Sequence, residues 1–203
     1  IRFWTSKITQ RRNGKTFRVG LLYGPSGSGK PSYVRAGILP RLPKEVTVLH
    51  VEATGEETEL RILRQLRSLF PDLSPDLDLP QALATIRDGN WMATGEKLLI
   101  IIDQFEQWLH ANRALEEAQL VDGLRQCDGG NVQAMVLVRD EFWMGITRFM
   151  ESLEAGLERG NNTDIVDRFS LAHSRKVLQL FDEAYGHVVQ EDEESRREYN
   201  EFR

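Results

Sequence analysis

Apolar residues along the chain gather into short runs separated by amphipathic stretches, the alternation expected of strands and helices in turn. Runs over residues 17–23, 46–51, 98–102 and 132–138 predict strands. The run Leu98-Leu99-Ile100-Ile101-Ile102, closing on Asp103, has no polar interruption, as in a parallel strand covered by helices on both faces. Between the strands, Leu60, Leu63, Leu66 and Phe70 recur at helical spacing across 57–70. Pro71, Pro75 and Pro80 mark a loop before a short helix at 81–87. Further helices are expected at 105–109 and from Ala114 to Arg125, followed by a turn at Asp128-Gly129-Gly130-Asn131. Ahead of the first strand, Phe3, Trp4 and Ile8 describe a short amphipathic helix on the sheet edge, closed by an Asn13-Gly14 turn. After the fourth, Phe142, Ile146, Phe149, Leu153 and Leu157 predict one long helix capped by Asp140 and broken at Gly160-Asn161-Asn162. A last helix, 171–185, carries Val177, Leu180, Phe181 and Tyr185. From Gln190 the chain is charge-dense, which predicts a solvated helix or disorder.

Composition narrows the partners more than the fold. The 203 residues are 40% hydrophobic and 28% charged, a length and composition expected of one globular domain with room for the start of another. A net charge of −5, with Lys and Arg scattered among acidic residues, offers no basic stripe for a nucleic acid. The lone Cys127 excludes internal disulfides and cysteine zinc sites, and suits a reducing, cytoplasmic setting. No run reaches the roughly 20 apolar residues of a membrane span. The chain opens on Ile1, so a segment upstream is expected.

The first strand runs directly into Gly24-Pro25-Ser26-Gly27-Ser28-Gly29-Lys30-Pro31-Ser32. Gly24, Gly29 and Lys30 fit the phosphate-loop spacing G-x-x-x-x-G-K-[ST], while Pro31 stands where a hydroxyl should bind Mg2+. Such a loop holds anions through free amides at a helix amino end, with the lysine as a point charge against the outer phosphates. The helix is expected over 32–39, ended by Pro40. Read alone, the motif is also compatible with an ordinary glycine-serine loop.

Asp103 ends the apolar strand where a carboxylate can assist magnesium, or can cap the helix that follows. Arg139 ends the fourth strand on the same side and can reach a terminal phosphate, or pair with Asp140 or Glu141. Glu106, three positions beyond Asp103, is a candidate to polarise an attacking water, or to pair on the helix surface. His50, His110, His173 and His187 are too scattered for a ligand set.

Together, the loop Gly24–Lys30, the block Val34-Arg35-Ala36-Gly37-Ile38-Leu39-Pro40, Ile101-Ile102-Asp103-Gln104-Phe105-Glu106 and Val138-Arg139-Asp140-Glu141-Phe142 resemble the novel STAND NTPases, signal-transduction P-loop ATPases related to AAA+ and NACHT proteins. The resemblance covers about residues 17–185. It implies an α/β fold, a three-layer αβα P-loop NTPase with a mostly parallel central sheet, followed by the start of a helical subdomain. It implies ATP and Mg2+ as cofactors, with Lys30 as the Walker A lysine, Asp103 the Walker B aspartate and Arg139 the sensor of the terminal phosphate. It also implies a bacterial, cytoplasmic switch flanked by an effector such as a protein kinase and by repeat domains, with nucleotide-dependent homo-oligomers. The base-contacting segment is expected partly upstream of Ile1. On this basis residues 1–16 form a lead-in, 17–168 the nucleotide domain, 169–189 the start of a helical lid and 190–203 a charged tail.

Pro31 departs from the family pattern. It removes a hydroxyl and an amide together and is expected to push Lys30 away from helical dihedrals. Ser32 is rotated by roughly 100° from that place and should point away. Weak, poorly magnesium-dependent ATP binding with slow or absent turnover is therefore expected. Rival readings are an inactive interaction module and, with a similar Gly-Pro-Ser-Gly loop, a small-molecule kinase. An ABC-type Leu-Ser-Gly-Gly-Gln signature is absent from the sequence.

Overall fold

A computed structural model describes residues 1–10, 16–89, 96–112, 114–115, 118–168 and 170–185. Two compact units divide the chain, residues 1–167 and residues 168–203. The first is built on a five-stranded sheet of β1 (Val19–Gly24), β2 (Val46–Glu52), β3 (Lys97–Asp103), β4 (Val132–Arg139) and β5 (Thr163–Ile165), in the order β2-β3-β4-β1-β5. Every pairing is parallel. All carboxyl ends therefore meet at one edge, and β4 lies between the strand that feeds the loop and the strand that ends on Asp103.

Alternation along the strands sorts the core into two layers. Leu21, Leu49, Val51, Leu98, Ile100, Ile102, Val132, Ala134 and Val136 pack on one face against α3 (Thr58–Leu69), α4 (Leu79–Asp88), α5 (Glu106–Ala111), α6 (Gln119–Arg125) and α7 (Trp143–Ser152). Leu22, Leu99, Ile101, Met135 and Leu137 point to the other face, onto Trp4 and Ile8 of α1 (Arg2–Thr9) and Val34 and Ile38 after the loop. The result is the expected three-layer αβα sandwich. Helix α1 covers the face of the central strands rather than the sheet edge. Lys97, fully buried at the start of β3, holds it there by donating to the carbonyls of Ile8 (2.8 Å) and Gln10 (2.9 Å).

Several helices differ from their periodicity. Leu60 is exposed, and α3 buries Thr58, Ile62, Leu63 and Leu66 instead. Pro80 belongs to the first turn of α4, which Asp78 caps by accepting from the Gln81 amide at 2.9 Å. The helix drawn from Ala114 starts only at Gln119. A 3-10 turn, Asp140–Phe142, precedes α7, whose amino end has no side-chain cap, so Asp140 does not cap it. Left-handed Glu154 (φ 54°) follows the end of α7, well before Gly160. The short β5 then joins the sheet, a strand that the apolar runs do not announce.

The helix after the loop begins at α2 (Lys30–Ser32), loosens into a π-helical segment, Tyr33–Ile38, and ends as a 3-10 turn, Leu39–Arg41. Pro40 therefore does not stop it. Having no amide, Pro40 leaves the Ala36 carbonyl without its α-helical donor, and Arg41 Nη1 donates to Ala36 (3.1 Å) and Gly37 (2.7 Å) instead. In the second unit, α8 (Leu171–Tyr185) exposes Val177, Leu178 and Leu180. The Asn13-Gly14 turn and the tail from Gln190 lie outside the described residues.

Candidate functional site

At the carboxyl edge of the sheet, β1 turns into residues 24–30, a tight loop carried on the helix that follows. Gly27 (φ 74°) and Gly29 (φ 80°) take left-handed backbone with open space where a Cβ would point, so glycine serves conformation there. Gly24 answers to crowding: a Cβ on it would lie 2.0 Å from the Val166 carbonyl oxygen. The Tyr33 amide donates to Gly29 at 2.7 Å and closes the first turn. Ser28 is buried, and its Oγ has no hydrogen-bond partner. Wrapped backbone, an orphaned hydroxyl and a helix amino end together suit an anion with several oxygens.

Lys30 is 8% exposed, and its Nζ donates to the carbonyls of Gly24 (2.8 Å) and Pro25 (3.0 Å). Burial pushes its pKa below 10.5, against the opposing pull of Glu106, Asp140 and Asp103 and with a smaller push from Arg139. Carboxylates that follow β3 and β4 thus both act on this ammonium. Nothing in the sequence marks Asp140 for this influence on Lys30.

The same alternation that carries Leu22, Ile101 and Leu137 to the α1 side places Gly24, Asp103 and Arg139 two residues further on, at the ends of adjoining strands. Gly24 and Arg139 are direct register partners. Asp103 is buried, and its Oδ1 accepts from the Gln104 amide at 2.8 Å, with Gln104 in left-handed backbone (φ 53°). It caps no helix, since α5 starts after Phe105 without a side-chain cap. Its Oδ2 lies 3.8 Å from His50 Nε2, a neighbour that histidine spacing in the sequence does not reveal. Glu106 is buried rather than on a helix surface, and accepts from the Arg139 amide at 3.3 Å. The Arg139 guanidinium pairs with Glu141 through Nη2, while its Nε is buried without a partner.

Pro31 occupies the second position of α2, where an amide has no intrahelical acceptor, and Lys30 is helical despite the proline after it. The expected displacement of Lys30 does not occur, because the pre-proline clash disfavours helical dihedrals without forbidding them. Ser32 is exposed. Among the described residues no cluster of three metal-ligating side chains exists. A magnesium ion here would rely on Asp103 and on phosphate oxygens, without the usual hydroxyl.

A family model described as Novel STAND NTPase 1 matches residues 4–197. No curated protein sequence matches the chain. Among solved structures, the ORC2 protein of Aeropyrum pernix in its ADP form is 18% identical, with a TM-score of 0.61 over 82% of this chain and 46% of that one. A Walker-type ATPase of Pyrococcus abyssi is 15% identical, with a TM-score of 0.59 over 91% and 57%. Drosophila ORC bound to DNA is 17% identical, with a TM-score of 0.54 over 91% and 45%. The chain spans about half the length of these structures.

Proposed function

The chain belongs to the novel STAND NTPase 1 family, and from that premise we propose that it is the ATP-binding switch domain of a signalling protein, with magnesium-dependent hydrolysis weakened by Pro31. The observation that carries this reading is the convergence of Gly24, Asp103 and Arg139 at one sheet edge around Lys30. In this reading the amides of 24–30 and the Lys30 ammonium bind and orient the phosphates. Glu106, buried beside the strand ends, polarises the attacking water, and Arg139 leaves Glu141 to meet the terminal phosphate. Mg2+ would be held by Asp103 and would neutralise charge on the phosphates.

Residues 17–168 then form the nucleotide domain and 169–189 open a helical lid. A bacterial, cytoplasmic protein with a flanking effector, a protein kinase among the candidates, and repeat domains completes the proposal, with ATP-dependent homo-oligomers as the signalling state. Pro31 itself favours the second reading, an interaction module in which bound nucleotide is structural. Losing one charge-assisted contact costs about 1.5–3 kcal/mol, or about one to two powers of ten in affinity.

The test is thermal melting and calorimetric ATP titration, with EDTA or with Mg2+, on the wild type and on Pro31→Ser. ATP should raise the melting temperature of both. Pro31→Ser should tighten binding in Mg2+ and speed turnover. Absence of any shift with ATP would overturn nucleotide binding, and equally brisk hydrolysis by both would overturn the role given to Pro31.

A further inference from the structure

We propose that His50 and Asp103 form half of a binding site for a divalent transition-metal ion such as Mn2+, completed by the phosphates of the nucleotide, in place of the ligand lost at Pro31. The inference rests on the nucleotide reading above. It turns on the 3.8 Å between His50 Nε2 and Asp103 Oδ2.

His50 and Asp103 stand on adjoining strands, and register makes their approach diagonal: His50 pairs with Ile101, two residues before Asp103. Both side chains continue the set that faces the loop helix, as Val48 and Ile101 do. His50 Nε2 is buried and has no hydrogen-bond partner. The separation from Asp103 is too long for a hydrogen bond. It is, however, a separation that two ligands of one ion adopt, because metal–ligand bonds of about 2.0–2.2 Å place such atoms up to about 4 Å apart. The other carboxylate oxygen is engaged by the Gln104 amide, which fixes the carboxylate and leaves Oδ2 turned to the imidazole.

The chemistry of the pair selects the ion. Magnesium prefers oxygen ligands and gives up water reluctantly, so a site that exchanges a hydroxyl for an imidazole loses its advantage for magnesium. Imidazole suits first-row transition metals, and carboxylate and phosphate oxygens suit manganese, so a set of one nitrogen among oxygens favours Mn2+ over Mg2+. Because no third ligating side chain joins the pair among the described residues, the ion needs the nucleotide to complete its shell. Metal and ATP should therefore bind cooperatively.

The test measures ATP affinity by calorimetry in EDTA, Mg2+ or Mn2+ for the wild type and His50→Ala, with pulsed EPR of Mn2+ in the wild-type ATP complex. The wild type should bind ATP about tenfold or more tightly in Mn2+ than in Mg2+, and the EPR should show nitrogen coupling from an imidazole. His50→Ala should bring Mn2+ down to the level of Mg2+ and remove the coupling. Equal affinity in the two metals, or a loss in His50→Ala that is the same in EDTA, would overturn the metal site while leaving nucleotide binding intact. Should His50→Ala fail to fold, the wild-type EPR decides alone, and lack of nitrogen coupling there overturns the proposal. Failure of ATP to bind under every condition would sink both readings.

Discussion

The carbonyl oxygen of Val166 sits where it would be 2.0 Å from a Cβ on Gly24, so the chain leaving β5 is packed directly on the first residue of the loop. The Val166 amide donates to Tyr23 at 2.8 Å, which locks that approach. Gly24→Ala must push backbone against backbone, where no side chain can rotate away. Overpacking of this kind costs about 1–3 kcal/mol. The urea midpoint should fall accordingly, and ATP should no longer raise the melting temperature. An unchanged midpoint would show that β5 can move off the loop without cost.

Lys97 makes a second testable contact, far from the site. Its ammonium is fully buried and donates to Ile8, Gln10 and the side chain of Gln133 (3.2 Å), tying α1 to the start of β3 and β4. Lys97→Met keeps the apolar stem but strips those acceptors of a charged donor, a loss of about 1.5–3 kcal/mol for each such bond before relaxation. Hydrogen exchange should accelerate in α1 before the sheet is affected. Uniform acceleration across β1 to β4 would mean that Lys97 supports the whole fold rather than one helix.

These two contacts show where sequence reading stops. The loop, Asp103 and Arg139 were legible because strand alternation and unbroken apolar runs fix which residues end at the same edge. β5 was not, since Thr163-Asp164-Ile165 has no periodicity of its own. It is a strand because Leu21 donates to Asn162 at 2.7 Å and Val166 to Tyr23. The end of α7 was equally hidden, because a left-handed Glu154 is a tertiary choice that glycine or asparagine usually signals. The π-helical segment after the loop has no sequence mark beyond Pro40. The scattered spacing of His50 hides its neighbour Asp103, which arrives across a parallel register.

Cys127 is buried completely, and burial pushes its thiol up to about 12, with Asp128 adding to the rise. Because the folded value lies above the unfolded 9.0, this group's contribution to stability is fully present below about pH 9 and is lost as pH rises toward 12. The native protein at pH 8 should therefore resist thiol reagents, reacting only at the rate of unfolding. Prompt labelling of one thiol without denaturant would contradict the burial.

Lys30 titrates in the opposite sense. Its folded value lies below 10.5, mainly through burial, so at lower pH both states are charged and the folded state bears the desolvation cost. As pH rises through the folded value toward 10.5, the folded state loses its proton first and the protein gains stability from this group, while the loop loses the charge proposed above to hold phosphate. ATP affinity should thus decline on an alkaline limb that begins before 10.5, even as the ligand-free protein becomes harder to unfold with respect to Lys30. Glu106 is the largest influence raising the value, so Glu106→Gln should move that limb to lower pH, besides removing turnover. Lys30→Met should abolish the limb together with ATP binding. Calorimetry across pH 7 to 10 on the three proteins provides the check, and an alkaline limb unmoved by Glu106→Gln would show that the two side chains do not share one site.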